Sequence, residues 1–388
     1  MKEKEAITSP IERSEDAMAI TVNPDLLKEI KEYGAFDISA CFNCGNCTAV
    51  CPLSDTVGSF PRKLIRLGQI GDKKRVVAGP EPWLCYYCGE CSETCPRQAE
   101  PGEYMAALRR YTIAQSEPTG IGRLMYRSGI MAIMVTLLVG IILGVFMFTA
   151  KSGENPRHWI FNDVSYGMIH YTGIAISVLA VLTIIGGIVN IFRRLSSWGG
   201  VSQPQPGKWV SALKRTIAEI VTMNRHREVT PDTEPIPWYR SHPWIHLAIM
   251  YGFIGLLLAT TLDFVFLELL PLHLSIFWPA RIIGTLSGLV MMWGVSAAIL
   301  RRFSKKEKNA VFTRLPDWWL LIFLFVLGLT GFWLEIATTF HIVSSVNNGI
   351  MLLHAAMAME LILLLAFTKM AHVIYRPIAL FVYFLNQA

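Results

Sequence analysis

The 388-residue sequence predicts a mostly α-helical chain in two parts. A small polar domain over residues 1–120 precedes a six-span transmembrane helical bundle over residues 121–388. Three observations carry that expectation. All eight cysteines lie at or before Cys95. The mean hydropathy of +0.41 is too high for an ordinary soluble protein, and the apolar residues are concentrated after about residue 128. Six apolar segments there each approach or exceed the ~20 residues that cross a bilayer.

The polar part reads as short helices and loops behind a flexible tail of about two dozen residues. Asn23-Pro24-Asp25 can cap a helix through Glu32, stopped at Gly34. Pro61 can start a second helix over Arg62–Leu67, with Gly68 as its stop. A third is expected over Glu103–Ala114. Arg62, Lys63 and Arg66 fit either a solvated helix face or a docking surface for a partner.

The cysteines form two copies of one pattern, C-x2-C-x2-C-x3-C-P. The copies are Cys41, Cys44, Cys47, Cys51 before Pro52, and Cys85, Cys88, Cys91, Cys95 before Pro96. This run holds 4Fe–4S cubanes in bacterial two-cluster proteins. Three thiolates on a short loop reach three corners of a cubane, and the fourth, on the outgoing helical turn, points to the sister cluster. The expected sets are therefore crossed: Cys41, Cys44, Cys47 and Cys95 on one cluster, Cys85, Cys88, Cys91 and Cys51 on the other. The polar part is thus expected to be a ferredoxin-type two-cluster α-helical domain. Zinc favours two CxxC pairs over a quartet closed by x3-C-P. Disulfides need an oxidising compartment, and no signal peptide is expected before this domain.

The expected spans are Gly129–Thr149, Tyr166–Phe192, Trp244–Leu270, Ile276–Leu300, Trp318–Phe340 and Ile350–Ile374. Tyr166, Trp244, Trp278, Trp318, Trp319 and Tyr375 stand near their ends, as interfacial aromatics do. An even number of spans puts both termini on one side. The stretches 193–241 and 301–317 carry fourteen Lys and Arg, whereas the opposite loops carry only Lys151 and Arg157. Positive-inside then predicts an inner-membrane protein with its cysteine domain and both termini in the cytoplasm. The net charge of +6 follows from this topology and calls for no nucleic-acid partner. The stretch Lys208–Met223 reads as an amphipathic helix on the inner membrane face or against the cysteine domain.

Four histidines fall in or beside spans: His170, His246, His354 and His372. Intramembrane ionisable residues are functional candidates by default. His354 and His372 are 18 residues apart, which on one continuous helix is five turns, the same face, and a rise of about 27 Å. The alternating direction of the spans puts His170 and His354 at outer depth, and His246 and His372 at inner depth. Two bis-histidine b-type haems fit these matched depths; satisfied interhelical hydrogen bonds are the plainer alternative. No CxxCH occurs, so covalent c-type haem is excluded. His242 rivals His246 but precedes Pro243 at the expected helix start. His158, His226, His273 and His341 are expected in loops.

The segments CFNCGNCTAVCP, FPRKLIRLGQIG and PWLCYYCGECSETCPR resemble the iron–sulfur C subunit of heterodisulfide reductases, over roughly Cys41 to Ala114. The membrane part resembles the cytochrome b subunit of that system and, more distantly, the gamma subunit of respiratory nitrate reductases. In the gamma family two histidines on the last span are spaced like His354 and His372, and two more come from one earlier span. Here Leu256 stands ten residues after His246 where a histidine would be, so the outer haem would need His170 or be absent. Fusion of the two modules is similar to the membrane subunits of quinone-interacting membrane-bound oxidoreductase complexes. That resemblance implies soluble flavin- and iron–sulfur-bearing partner subunits, and electron exchange between menaquinone and adenylylsulfate reductase in sulfate respiration.

The chain has no G-x-G-x-x-G loop and no CCG-type repeat, so it is expected to relay electrons while substrate chemistry belongs to partners. A heterodisulfide reductase-type membrane subunit using another lipid-soluble carrier is the second reading. A haem-free membrane anchor for a ferredoxin-like domain is the third. Asp263, Arg281 and Glu335 are the expected quinone-site residues in the outer half, or Asp263 and Arg281 pair with each other. An inner pocket near Lys369 and His372 is the other placement.

Overall fold

The computed structural model describes residues 21–149, 166–199, 206–224, 237–270, 279–305 and 310–387. Every regular element among them is helical. His158, His226 and His273 lie outside the described residues; His341 sits in the exposed turn after the fifth span.

The polar domain contains the three expected helices, Leu26–Glu32, Arg62–Gln69 and Pro101–Ser116. Gly68 is not a stop. It lies inside its helix, where an added Cβ would collide with the Tyr104 hydroxyl. Leu64 and Ile65 are buried, and Lys63 pairs with the buried Glu81 at 3.1 Å. The core gathers Leu26, Ile30, Ile65, Tyr104, Leu108 and Tyr111.

Six helices are long and apolar enough to cross a membrane among the described residues. They are Gly129–Thr149, Tyr166–Gly199, His242–Asp263, Pro279–Ser304, Leu315–Thr339 and Ser345–Leu363. On the first, Ile130, Leu137, Leu138, Ile141 and Val145 are more than half exposed, an apolar face that suits lipid and not water. Spans three and four approach most closely where side chains vanish. A Cβ on Gly252 would meet the Ser287 carbonyl oxygen at 2.7 Å, and one on Gly294 the Ile249 nitrogen at 3.0 Å.

The sixth span departs from the expectation. Its helix stops at Leu363, residues 364–368 turn, Lys369–Ala371 forms a 3-10 turn, and a new helix runs His372–Gln387. His354 and His372 therefore do not share one helix face. The break has a local cause. The Thr368 hydroxyl accepts the Met370 N–H, and Lys369 Nζ reaches Asp317 Oδ1 at 2.7 Å. Asp317 is nearly buried and also faces Arg110 of the polar domain at 3.6 Å.

The new helix does not continue into lipid. Ala379, Leu380 and Tyr383 join the polar domain's own core. Tyr375 meets Trp83 edge-on at 6.0 Å, and both are fully buried. The helix Pro206–Thr222 packs on the same element through buried Ala212 and Thr216, with Arg215 stacked 4.4 Å over the Phe384 ring. Its Val210, Leu213, Ile217 and Val221 remain exposed as an apolar stripe. Trp83→Ala should cost about 3–5 kcal/mol, since it empties the junction of the polar domain and the last helix. Thermal loss of cluster absorbance would register it, and an unchanged midpoint would remove Trp83 from that role.

Among the described residues, the contacts of the polar domain with the spans fall at one end of the bundle. Arg127 beside the first span pairs with Glu32 at 2.6 Å. Asn190 near the end of the second donates to the Ser116 carbonyl at 2.9 Å. Phe312 before the fifth lies 4.8 Å from Phe36. The contacting ends of the second and fifth spans are those flanked by the Lys- and Arg-rich stretches.

Candidate metal centres

The two cysteine loops are built alike. Asn43 and Tyr87, between their first two cysteines, have φ of 66° and 56°. Gly45 and Gly89, between the second and third, have φ of 96° and 92°, a left-handed turn that favours glycine. Each turn starts a one-turn helix, Asn46–Ala49 or Glu90–Glu93. Asn43 N–H donates to Cys41 Sγ and Tyr87 N–H to Cys85 Sγ, both at 3.4 Å. Such donors favour a thiolate.

Side chains that the motif does not reveal hold these loops. Gln69 Nε2 donates to the Cys41 carbonyl at 2.9 Å. Arg109 Nη2 donates to the Cys85 carbonyl at 2.7 Å and its Nε to Pro82 at 3.0 Å. Two adjacent arginines in an otherwise buried helix, Arg109 and Arg110, were the available signal.

None of the eight cysteines is paired in a disulfide. Burial pushes the Cys47 thiol up, and its neighbours Cys41, Cys44 and Cys95 add to that. Burial pushes Cys51 up to about 12, with Cys85 and Cys88 beside it. Cys91 is raised by burial and then by Cys85, Cys88 and Cys51. Thiols so crowded need cations to hold them ionised, which iron supplies. Among the described residues no three His, Cys, Asp or Glu converge on a single metal ion. Cubane ligands need not converge, because each binds its own iron.

Of the histidines, His246 and His372 come together, with ring centroids 6.0 Å apart and planes at 63°. Iron between two imidazoles needs roughly that separation, two bonds of about 2 Å plus about 1 Å within each ring. His372 Nδ1 lies 2.5 Å from the Lys369 carbonyl. A carbonyl only accepts, so Nδ1 carries the proton and Nε2 keeps its lone pair. His246 Nδ1 is buried with no hydrogen-bond partner among the described residues. His242, in the first turn of the third span, stands behind His246 at 6.4 Å. By separation alone the pair could hold one iron, as in a b haem.

The outer candidates face different neighbours. His354 Nδ1 lies 2.9 Å from Thr330 Oγ1, whose own proton serves the Val326 and Leu327 carbonyls, so His354 is the donor here too. Gly331 makes room for its ring: a Cβ there would sit 3.1 Å from His354 Cε1. His170 stacks on Phe264 at 5.5 Å.

Arg281 does not pair with Asp263. Spans four and five are neighbours at that level, so Arg281 Nε faces Glu335 Oε1 at 3.7 Å and its Nη2 donates to Thr339. Thr285 donates to the same Glu335 oxygen at 2.5 Å. Asp263 is exposed at the end of the third span's helix.

A family model described as a 4Fe–4S dicluster domain matches residues 37–99. A protein of Archaeoglobus profundus, described as similar to the C subunit of heterodisulfide reductase, is 39% identical over 83 residues, 21% of this chain and 44% of that protein. The C subunit of the H(2):CoB-CoM heterodisulfide,ferredoxin reductase of Methanothermobacter thermautotrophicus is 32% identical over 63 residues, 16% of this chain and 34% of that one. Its counterpart in Methanothermobacter marburgensis matches equally. The chain thus spans less than half the length of these curated relatives. No solved structure matches. The cysteine-bearing part of this chain is accordingly a 4Fe–4S dicluster domain similar to heterodisulfide reductase C subunits, fused here to six helices able to cross a membrane.

Proposed function

We propose that this chain is the membrane electron-transfer subunit of a multi-subunit oxidoreductase, relaying electrons between menaquinol, b-type haems and two 4Fe–4S clusters. The clusters take the crossed cysteine sets, and soluble flavin- and iron–sulfur-bearing subunits exchange electrons with them. The domain and both termini face the cytoplasm, in keeping with the charged loops on that side. One observation carries the reading. His372 opens the helix whose Tyr375 packs on Trp83, two residues from Cys85. The paired imidazoles and the second cysteine loop are thereby adjacent, as a haem-to-cluster relay requires. When bound, haem would supply a one-electron centre. The chain's own part is to orient the His372 imidazole through the Lys369 carbonyl and to bring His246 against it. The adenylylsulfate reductase end of the relay rests on the resemblance of the fused modules.

A reduced-minus-oxidised visible spectrum of the purified chain tests this. The expected result is a b-haem signal that appears on adding a menaquinol analogue. A spectrum with clusters and no haem would leave a membrane anchor for the dicluster domain.

A further inference from the structure

A partly open pocket lies between the first, fifth and sixth spans, roofed by the helix Ile121–Arg127 that links the polar domain to the bundle. Its walls are mainly apolar, with Ala132, Trp319, Phe323 and Phe367 among them. Several polar groups on its lining are already engaged. Thr136 donates to the Ala132 carbonyl at 2.8 Å, Thr368 accepts the Met370 N–H, and Lys369 is held by Asp317.

Two others are not. Glu360 is 3% exposed, and its Oε1 has no hydrogen-bond partner among the described residues. Tyr126 is 5% exposed, and its hydroxyl has none either. Buried polar atoms are normally paired. Two orphans on one apolar pocket point to a largely apolar ligand that carries polar groups. A lipid acyl chain would leave both unpaired.

We propose that this pocket binds the headgroup of a lipid-soluble quinone, with the Tyr126 hydroxyl and the Glu360 carboxyl serving its two oxygens. The tyrosine donates to a quinone carbonyl. The carboxyl donates when protonated and accepts from a quinol hydroxyl when ionised. Trp319 and Phe323 supply aromatic wall for the ring. Lys369 lines the pocket while its carbonyl orients His372, so the site adjoins the inner histidine pair. The proposal rests on the reading of the chain as quinone-reactive, and it places the headgroup on the side of the polar domain, away from Arg281 and Glu335.

The test is equilibrium binding of a water-soluble short-chain naphthoquinone to the full chain in detergent, with iron content as the check on folding. Tyr126→Phe should weaken binding about 5-fold and Glu360→Leu about 5- to 10-fold, one hydrogen bond each. Ala132→Phe, which fills the pocket, should abolish it, and Arg281→Gln should bind as wild type. Loss of binding in Arg281→Gln, with Tyr126→Phe and Glu360→Leu unchanged, would overturn this pocket and leave the quinone-reactive reading standing. Loss in Ala132→Phe alone would show that Tyr126 and Glu360 do not hold the quinone oxygens and overturn the proposal. No binding by wild type would remove the quinone-reactive reading itself.

Discussion

Cys51→Ser should destroy the cluster held by Cys85, Cys88 and Cys91 and spare the one held by Cys41, Cys44 and Cys47. Iron should fall from about eight atoms per chain to about four, as expected when one of two cubanes is lost. Serine offers a hard oxygen in place of a soft thiolate and holds iron–sulfur clusters poorly. The placement of Cys51 decides which cluster suffers. It leaves the turn after Asn46–Ala49 and sits beside Cys85 and Cys88, whereas Cys47 stays with Cys41, Cys44 and Cys95. Cys95→Ser should do the converse. Electron paramagnetic resonance distinguishes the two clusters, and a Cys51 variant that loses only the Cys41 cluster would reverse the crossed assignment.

His246→Ala and His372→Ala should each remove the same b haem, about half of the signal if two are bound. Their rings stand 6.0 Å apart on different helices, so neither replaces the other. His354→Ala should leave that haem untouched, because the chain breaks between His354 and His372 and the His354 imidazole is anchored to Thr330 instead. Reduced-minus-oxidised spectra of the three variants decide it. Full haem in both His246→Ala and His372→Ala would make the pair a packing contact.

The cysteine loops and the spans were legible because each has a fixed physical period: ligand spacing in one case, bilayer thickness in the other. The first span starts and ends where hydropathy alone puts it. The sixth does not. From Ile350 to Leu385 the chain is nearly all apolar, and hydropathy cannot tell a helix in lipid from one in a protein core. Thr368 and Lys369 were the signal, a helix-capping hydroxyl followed by a charge that needs Asp317. Glu360 was readable by the same rule, as a lone carboxylate inside an apolar run. The partner of Arg281 was not readable, because depth in the membrane is shared by every span and only packing chooses among neighbours.

The docking of the last helix also fixes how electrons can travel. Tyr375, Ala379 and Tyr383 are core residues of the cluster-bearing domain, so the helix that follows the sixth span clamps that domain to the bundle. A domain so held cannot swing between donor and acceptor as a tethered shuttle does. In the proposed relay, transfers would occur by tunnelling across a constant gap, at a rate indifferent to solvent viscosity and acutely dependent on the Trp83–Tyr375 spacing. Any soluble partner must therefore come to the clusters, because the clusters cannot go out to meet it.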